Sequence, residues 1–363
     1  MKYVDEFRNK SLITKIARNI RNITPPQMIN IMEVCGTHTQ NFFRFGLNTL
    51  LPQNIRLISG PGCPVCVSAQ GYIDQAIQYA GQRDKIIATF GDLLRVPGTY
   101  SSLEKEQSRL GNVRVVYSPL DSLKIAKGNP NQKVIFLAVG FETTAPAVAL
   151  TILLAKKEKI KNLFFLIALK LMPPAMRYLV QDPKLAIHGF LCPGHVSSII
   201  GTKPYEFIPA KYGLGCCVAG FEPLDMLEGI YFLIRQIVGG APIVENQYIR
   251  AVKKAGNPEA RKIMSRVFKT SDAYWRGLGE IPQSGLFIRR EFSLLDAEKA
   301  LKLKTKKYKA SPRQKKCRCA EVLKGRINPD ACPLFAKLCN PDNPIGPCMV
   351  SGEGACNAYY RYK

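Results

Sequence analysis

The chain has 363 residues and a formal net charge of +25, and 46% of its residues are apolar, which is enough to bury a core in two or three domains. Its longest apolar runs, such as NLFFLIALKLM, are shorter than the ~20 residues that span a bilayer, and the start MKYVDEFRNK lacks an apolar signal segment. We therefore expect a cytoplasmic protein that is neither exported nor inserted in a membrane.

The basic charge indicates which partners to expect, and the cysteines indicate which chemistry. Lys and Arg are scattered, apart from KLKTKKYKASPRQKK at 302–316, which favours a solvated surface or an acidic protein partner over nucleic acid. Twelve cysteines without an export signal favour metal ligands or redox thiols over structural disulfides.

The predicted elements begin with an N-terminal amphipathic helix in residues 1–26. Eight units follow, each an apolar strand, a turn with Gly or Pro, and a helix; the strands are IMEV, IRLIS, KIIATF, VRVVY, KVIFLAV, NLFFLIAL, LAIHGFL and LGCCVA. Strands that are apolar on both faces and alternate with helices are typical of parallel sheets covered on both sides. We predict an α/β fold with two parallel-sheet α/β domains of four units each, at 27–128 and 129–240. Ligands of such sheets bind beyond the carboxyl ends of the strands, where the Cys- and His-rich turns fall.

The pattern changes after Gly240, and we predict a helical and Cys-rich third domain at 241–363, with 245–280 helical and polar. Its tail lacks the C-x2–4-C knuckles of zinc sites. It also has few periodic apolar residues, so it needs a bound metal or a cross-link to hold its shape. Wide cysteine spacing in Pro- and Gly-rich loops favours a [4Fe–4S] cluster, with zinc or free or disulfide-bonded thiols as alternatives. The candidate ligands are Cys332, Cys339, Cys356 and either Cys317 or Cys319, and Cys348 is a spare.

Two cysteine motifs follow the first two strands. In CGTHT, Cys35 and His38 could bind a soft divalent metal, or else be a buried thiol in a turn capped by Thr. In GPGCPVC, the spacing of Cys63 and Cys66 favours a redox dithiol with an exposed, acidified first thiol, with a metal ligand or simple packing as alternatives.

Two later turns carry single functional candidates. GFETTAPA contains Glu142, although Thr143 or Thr144 could simply cap the next helix, and CPGHVSSIIG contains His195, although a lone His is usually structural. Cys216 and Cys217 lie in an apolar strand and are predicted core residues. The sequence contains no Walker or GxGxxG motif, so no motif supports a nucleotide site.

Together, CGTHT, GPGCPVC, GFETTAPA, PGHVSSIIG and the tail CPLFAKLC…GPCMVSGEGAC resemble the HypD family over nearly the whole chain. Its members help to assemble the Fe(CN)2CO group of [NiFe] hydrogenases. The resemblance implies that Cys35 ligates iron shared with a HypC-like chaperone, with His38 beside it. It implies that Cys63 and Cys66 form a thiol–disulfide pair, to which a [4Fe–4S] cluster in the tail relays electrons.

The resemblance also implies a HypE-like cyanide donor and an indirect link to the hydrogenase large subunit. Glu142 and His195 are expected on one face, where they would shuttle protons or shape the surroundings of the iron. The protein would then be a redox-active assembly scaffold rather than a conventional enzyme. A disulfide reductase of the thioredoxin-reductase type is the alternative, but it does not need Cys35. A basic RNA-binding protein with a structural zinc leaves the GFETT and PGHVS turns unexplained.

Overall fold

A computed structural model describes residues 4–110, 112–302 and 315–363. The basic run at 302–316 lies almost entirely outside these described residues. None of the helices within the described ranges combines the length and the apolar composition needed to cross a bilayer.

The first sheet has five parallel strands in the order β2-β1-β7-β8-β9. They are β1 (Ile29–Glu33), β2 (Ile55–Ser59), β7 (Gly189–Pro193), β8 (Gly215–Ala219) and β9 (Val244–Asn246). Most side chains of the four longer strands are buried, as expected for a sheet that helices cover on both faces.

The second sheet has four parallel strands in the order β4-β3-β5-β6. They are β3 (Lys85–Thr89), β4 (Val113–Val115), β5 (Lys133–Gly140) and β6 (Leu163–Leu169). Its central strand β5 is buried along nearly its whole length.

Helices connect and cover these strands. The predicted N-terminal helix is α1 (Lys10–Ile23), capped by Asn9, whose side chain accepts hydrogen bonds from the backbone N–H groups of Ser11 and Leu12. The others are α2 (Gly36–Arg44), α3 (Gln70–Ala80), α4 (Leu103–Leu110), α5 (Asp121–Gly128), α6 (Ala145–Lys157), α7 (Met172–Val180), α8 (Gly194–Ile200), α9 (Phe207–Tyr212), α10 (Pro223–Gly239), α11 (Pro258–Val267), α12 (Ala297–Leu301) and two short helices of the tail, Cys319–Leu323 and Ala355–Tyr362.

The eight predicted strands are present as β1–β8, and the α/β fold with two parallel sheets is confirmed. Their distribution between the sheets differs from the division into four and four. The chain leaves the first sheet after β2, builds the whole second sheet with β3–β6, and returns at β7. The boundary drawn at 128/129 therefore falls inside the second sheet. Because strands of both sheets are apolar on both faces, their periodicity does not reveal which of them pair.

The helical prediction for 245–280 is wrong over much of its length. Only α11 is helical there, β9 joins the first sheet, and β10 (Phe268–Trp275) pairs antiparallel with β11 (Gly279–Ile288). The hairpin is anchored by Trp275, which is fully buried and donates from Nε1 to the Ser284 hydroxyl over 2.8 Å. Burial of an aromatic ring with its N–H satisfied outweighs the polar character of the surrounding sequence.

The largest buried core lies between the two sheets. It joins residues of the first sheet, such as Phe190 and Val218, to residues of the second, such as Ile87 and Ile135. Two further cores cover the outer faces, one with α1, α2 and α10 and the other with α5, α6 and α11. The thiols of the GPGCPVC loop belong to the central core, so that loop lies between the sheets.

Candidate functional site

Cys35 follows β1 and is the N-cap residue of α2. Its side chain is buried, and its Sγ lies 3.8 Å from Nδ1 and 3.9 Å from Nε2 of His195, which enters from the start of α8. Burial, and then the nearby carboxyl group of Glu353, raises the pKa of the Cys35 thiol. The thiol therefore remains protonated unless a cation takes the place of its proton.

Two imidazoles flank a phenylalanine beside this thiol. The ring centroid of Phe221 lies 4.8 Å from that of His38 and 5.1 Å from that of His195. His38 is fully buried; its Nε2 donates to the carbonyl of Gly220 over 2.9 Å, and its Nδ1 has no hydrogen-bond partner among the described residues. Burial lowers the pKa of both histidines to about 4, so both rings are neutral near pH 7.

The CGTHT and GPGCPVC loops lie directly against each other. The backbone N–H of Gly36 donates to the carbonyl of Gly62 over 3.0 Å. A Cβ at Gly62 would lie 2.2 Å from the backbone nitrogen of Cys35, so only glycine permits this approach. The structure thus brings Cys35 and the Cys63/Cys66 loop to one place, as the sequence analysis expects.

The Cys63/Cys66 loop differs from the prediction in one respect. The Cys63 side chain is only 3% exposed and Cys66 is fully buried, so the first thiol is not exposed. The backbone N–H of Cys66 donates to Cys63 Sγ over 3.3 Å. Burial, together with the thiols of Cys348 and Cys63, raises the pKa of Cys66. Cys63 and Cys66 are buried because Cys319 and Cys348 of the tail share their core, a contact with residues so distant in the chain that the local sequence does not reveal it.

A row of thiols leads from this loop into the tail. Cys63 and Cys66 share the central core with Cys319 and Cys348 of the tail, and the Sγ atoms of Cys319 and Cys348 lie 3.4 Å apart. The neighbouring thiols of Cys319 and Cys66 lower the pKa of Cys348. Cys348, a spare in the sequence analysis, is therefore the link between the dithiol loop and the tail.

The six tail cysteines line one small cavity. Four of them, Cys317, Cys332, Cys339 and Cys356, pack around one small apolar cluster that includes Leu334, Ile345 and Met349. Cys319 and Cys348 are buried in the central core, against which Cys317 and Cys356 also pack. All twelve cysteines of the chain are free thiols in the structure.

The donor set of this cavity suits an iron–sulfur cluster. Thiols are its only polar groups, and the remaining lining is apolar side chain or glycine. Within the described ranges, no three His, Cys, Asp or Glu side chains are placed to bind a single metal ion together. A cluster with four cysteine ligands fits the residues present.

The tail also reaches the Cys35 loop. Glu353 accepts a hydrogen bond from the Thr37 hydroxyl over 2.6 Å, and a Cβ at Gly36 would lie 2.3 Å from the backbone oxygen of Glu353. Neither Glu353 nor Phe221 was predicted as a site residue, because Glu353 reaches the Cys35 loop, and Phe221 the two imidazoles, from distant parts of the chain. The Gly-Phe-Glu sequence shared by GFETT at 140–144 and GFEPL at 220–224 is the sequence signal that could have pointed to Phe221.

Glu142 lies apart from these groups. It follows β5, and the cavity that it lines contains neither a thiol nor an imidazole. The expectation that Glu142 shares a face with His195 finds no support in its contacts. Cys216 and Cys217, by contrast, are fully buried in β8, so their prediction as core residues is confirmed.

The fold and the site together define an α/β protein with two parallel sheets and a Cys-rich tail, in which thiols from three loops converge. A sequence model named HypD and described as "Hydrogenase formation hypA family" matches residues 10–363. Similar proteins include the hydrogenase maturation factors HypD of Cupriavidus necator, 44% identical over 100% of this chain and 97% of the relative, and of Escherichia coli, 42% identical over 100% and 98%. The hydrogenase expression/formation protein HupD of Azotobacter chroococcum is 43% identical over 100% and 97%. The chain belongs to the HypD family of hydrogenase maturation factors.

Proposed function

We propose that this chain is an assembly scaffold which, with a HypC-like chaperone, holds an iron ion on Cys35 while cyanide and carbonyl ligands are added for insertion into a [NiFe] hydrogenase. One observation carries the proposal: the Cys35 loop lies against a dithiol loop, whose thiols share the central core with Cys319 and Cys348 of the six-cysteine tail cavity. A binding thiol and a source of electrons are thus built into one site.

Cys35 provides the iron-binding group on this chain. Its thiol is protonated when free, so binding of Fe(II) as cargo releases a proton. His195 lies within 4 Å of the sulfur, and its neutral imidazole can relay that proton toward solvent, because a group with a pKa of about 4 does not retain it near pH 7. A soft thiolate suits iron that carries strong-field cyanide ligands. A single buried thiol leaves most iron positions open, which supports a second protein, the HypC-like chaperone, as the source of another ligand.

Cys63 and Cys66 provide the electrons for cyanide release. A HypE-like donor that carries cyanide as a thiocyanate needs two electrons and two protons to become a free thiol and hydrogen cyanide. Two thiols that form one disulfide release two electrons and two protons, so the reaction balances. The hydrogen bond from Cys66 N–H to Cys63 Sγ stabilises the first sulfur as its proton leaves.

Cys348 and Cys319 can return the dithiol to its reduced state. Cys348, as thiolate, attacks Cys66 of the Cys63–Cys66 disulfide and releases Cys63 as a thiol; Cys319 then attacks Cys348 and releases Cys66. The net result moves two electrons from one thiol pair to the other. The 3.4 Å between Cys319 and Cys348 sulfurs requires only a small shift to reach bonding distance.

Cys317, Cys332, Cys339 and Cys356 would hold a [4Fe–4S] cluster in the tail cavity. Such a cluster supplies single electrons. On this assignment Cys319 is not a cluster ligand, because it is paired with Cys348.

The decisive experiment is infrared spectroscopy of the chain copurified without oxygen with its HypC-like partner. Wild type should show cyanide and carbonyl stretches from iron, and Cys35→Ala should lose them while it keeps the brown colour of the cluster. Cys217→Ala is the control, because this buried thiol faces the opposite core. Normal cyanide and carbonyl bands in Cys35→Ala would refute the ligand role and favour a plain disulfide reductase.

A further inference from the structure

A separate cavity lies beyond the carboxyl ends of β5 and β6. Glu142 stands two residues past the end of β5, and Leu171 two residues past the end of β6, and both line it. The cavity measures about 550 Å³, which lies in the usual range for small-molecule sites. Its position at the strand ends is also where parallel sheets bind ligands.

The inner wall carries an unsatisfied carboxyl group. Glu142 is 1% exposed, and its Oε1 accepts a hydrogen bond from the backbone N–H of Met172 over 2.9 Å. Its Oε2 is buried and has no hydrogen-bond partner among the described residues. Burial raises the pKa of Glu142 to about 7. A buried carboxyl oxygen without a partner destabilises the protein unless a bound molecule supplies one.

The mouth of the cavity is cationic. Arg261, Lys269 and Arg289 all line it, and each is exposed. Arg261 donates to the carbonyl of Ala255, and Arg289 to backbone carbonyls, and none of the three cations pairs with a carboxylate in the described parts of the chain. Glu142 is the only acidic residue in the lining, so the field at the entrance favours an anion.

Apolar side chains form much of the remaining lining, among them Pro173, Pro174, Met264 and Phe268. A bare inorganic ion would leave this apolar surface in contact with water. An organic molecule with an anionic head and a hydrogen-bond donor can contact the cations, the apolar side chains and the carboxyl group together.

We propose that this cavity binds a small organic oxyanion, with its carboxylate or phosphate at Arg261, Lys269 and Arg289 and a hydroxyl group donating to Glu142 Oε2. This site is distinct from the thiol site and requires neither iron nor the cluster. It gives the GFETT motif a binding role that the iron chemistry does not use.

Isothermal titration calorimetry of the full chain at low ionic strength tests the proposal with three probes: L-malate, succinate, which lacks the hydroxyl, and glycerol 3-phosphate. We expect saturable binding, with malate preferred over succinate by about tenfold because only malate donates to Glu142. A tighter fit of glycerol 3-phosphate than malate would assign a phosphate head, and the reverse a carboxylate head.

Two variants separate the parts of the site. Lys269→Ala should weaken the binding of all probes by about fivefold, whereas Lys262→Ala, which removes the same charge from an exposed position outside the cavity, should not. Glu142→Gln should reduce the malate preference by about threefold or more, since a neutral acceptor binds a hydroxyl less strongly. Absence of saturable heat with all three probes, or equal losses in Lys269→Ala and Lys262→Ala, would overturn the proposal.

Discussion

The contact between the two cysteine loops can be tested with Gly62→Ala. The added Cβ would lie 2.2 Å from the backbone nitrogen and 2.4 Å from Cα of Cys35, so the loops must separate. Overpacking of this kind destabilises by about 1–3 kcal/mol, and loss of the hydrogen bond from Gly36 N–H to Gly62 O adds about 1 kcal/mol. We expect a total of about 2–4 kcal/mol, which corresponds to a decrease in Tm of roughly 3–5 °C for a chain of 363 residues.

The assay combines thermal unfolding with iron retention in the complex with the HypC-like partner. Gly62→Ala should lower both, because displacement of Cys35 from the dithiol loop disturbs the iron-binding thiol itself. Gly71→Ala is the matched control: no atom lies within 4 Å of its added Cβ, and alanine favours the first turn of α3, so Tm should stay the same or rise. An unchanged Tm and full iron retention in Gly62→Ala would show that the loops are not held together as described.

Two further predictions concern the thiol row and a buried acid. When a one-electron donor is added to the oxidised protein, Cys348→Ala should re-reduce the Cys63–Cys66 disulfide about tenfold more slowly than wild type, or slower still. The rate is measured by alkylation of the thiols that appear, and Cys217→Ala, the control, should keep the wild-type rate. Equal rates in the two variants would exclude Cys348 as the link. Burial raises the pKa of Glu33 to about 7, and an acid whose folded pKa lies above its unfolded value of 4.5 makes stability fall as pH rises between these values. Glu33→Gln cannot ionise, so it should avoid ~3 kcal/mol of this pH-dependent loss of unfolding free energy. In urea unfolding, the stability of the variant relative to wild type should therefore be higher at about pH 8 than at about pH 5. A difference that does not depend on pH would contradict the raised pKa of Glu33.

Much of the local structure could be predicted from the sequence. Runs such as KVIFLAV and LGCCVA are apolar on both faces, and the turns that follow them contain Gly or Pro, so β5 and β8 and their connections were recognisable. The same local pattern placed Cys35, Cys63, Glu142 and His195 beyond strand ends, where the structure also has them. These features depend on a few neighbouring residues, and short-range periodicity records them.

The polar segment after Gly240 shows where local pattern misleads. Its β10–β11 hairpin is stabilised by burial of Trp275 against the central core. The other residues of β10 are mostly polar and exposed, so their sequence does not predict a strand. Strand preference here comes from packing against the rest of the protein rather than from the residues themselves.

The sequence alone determined that strands alternate with helices, that cysteines follow the first two strands, and that six more cysteines lie in the tail. Only the tertiary structure decided that β7 and β8 return to β1, that Cys319 and Cys348 share a core with Cys63 and Cys66, and that Glu142 lines a cavity without thiols. The physical reason is that these contacts join segments more than 25 residues apart. Any apolar strand can pair with another and any thiol can contact another, so the complete packing of the chain selects the partners.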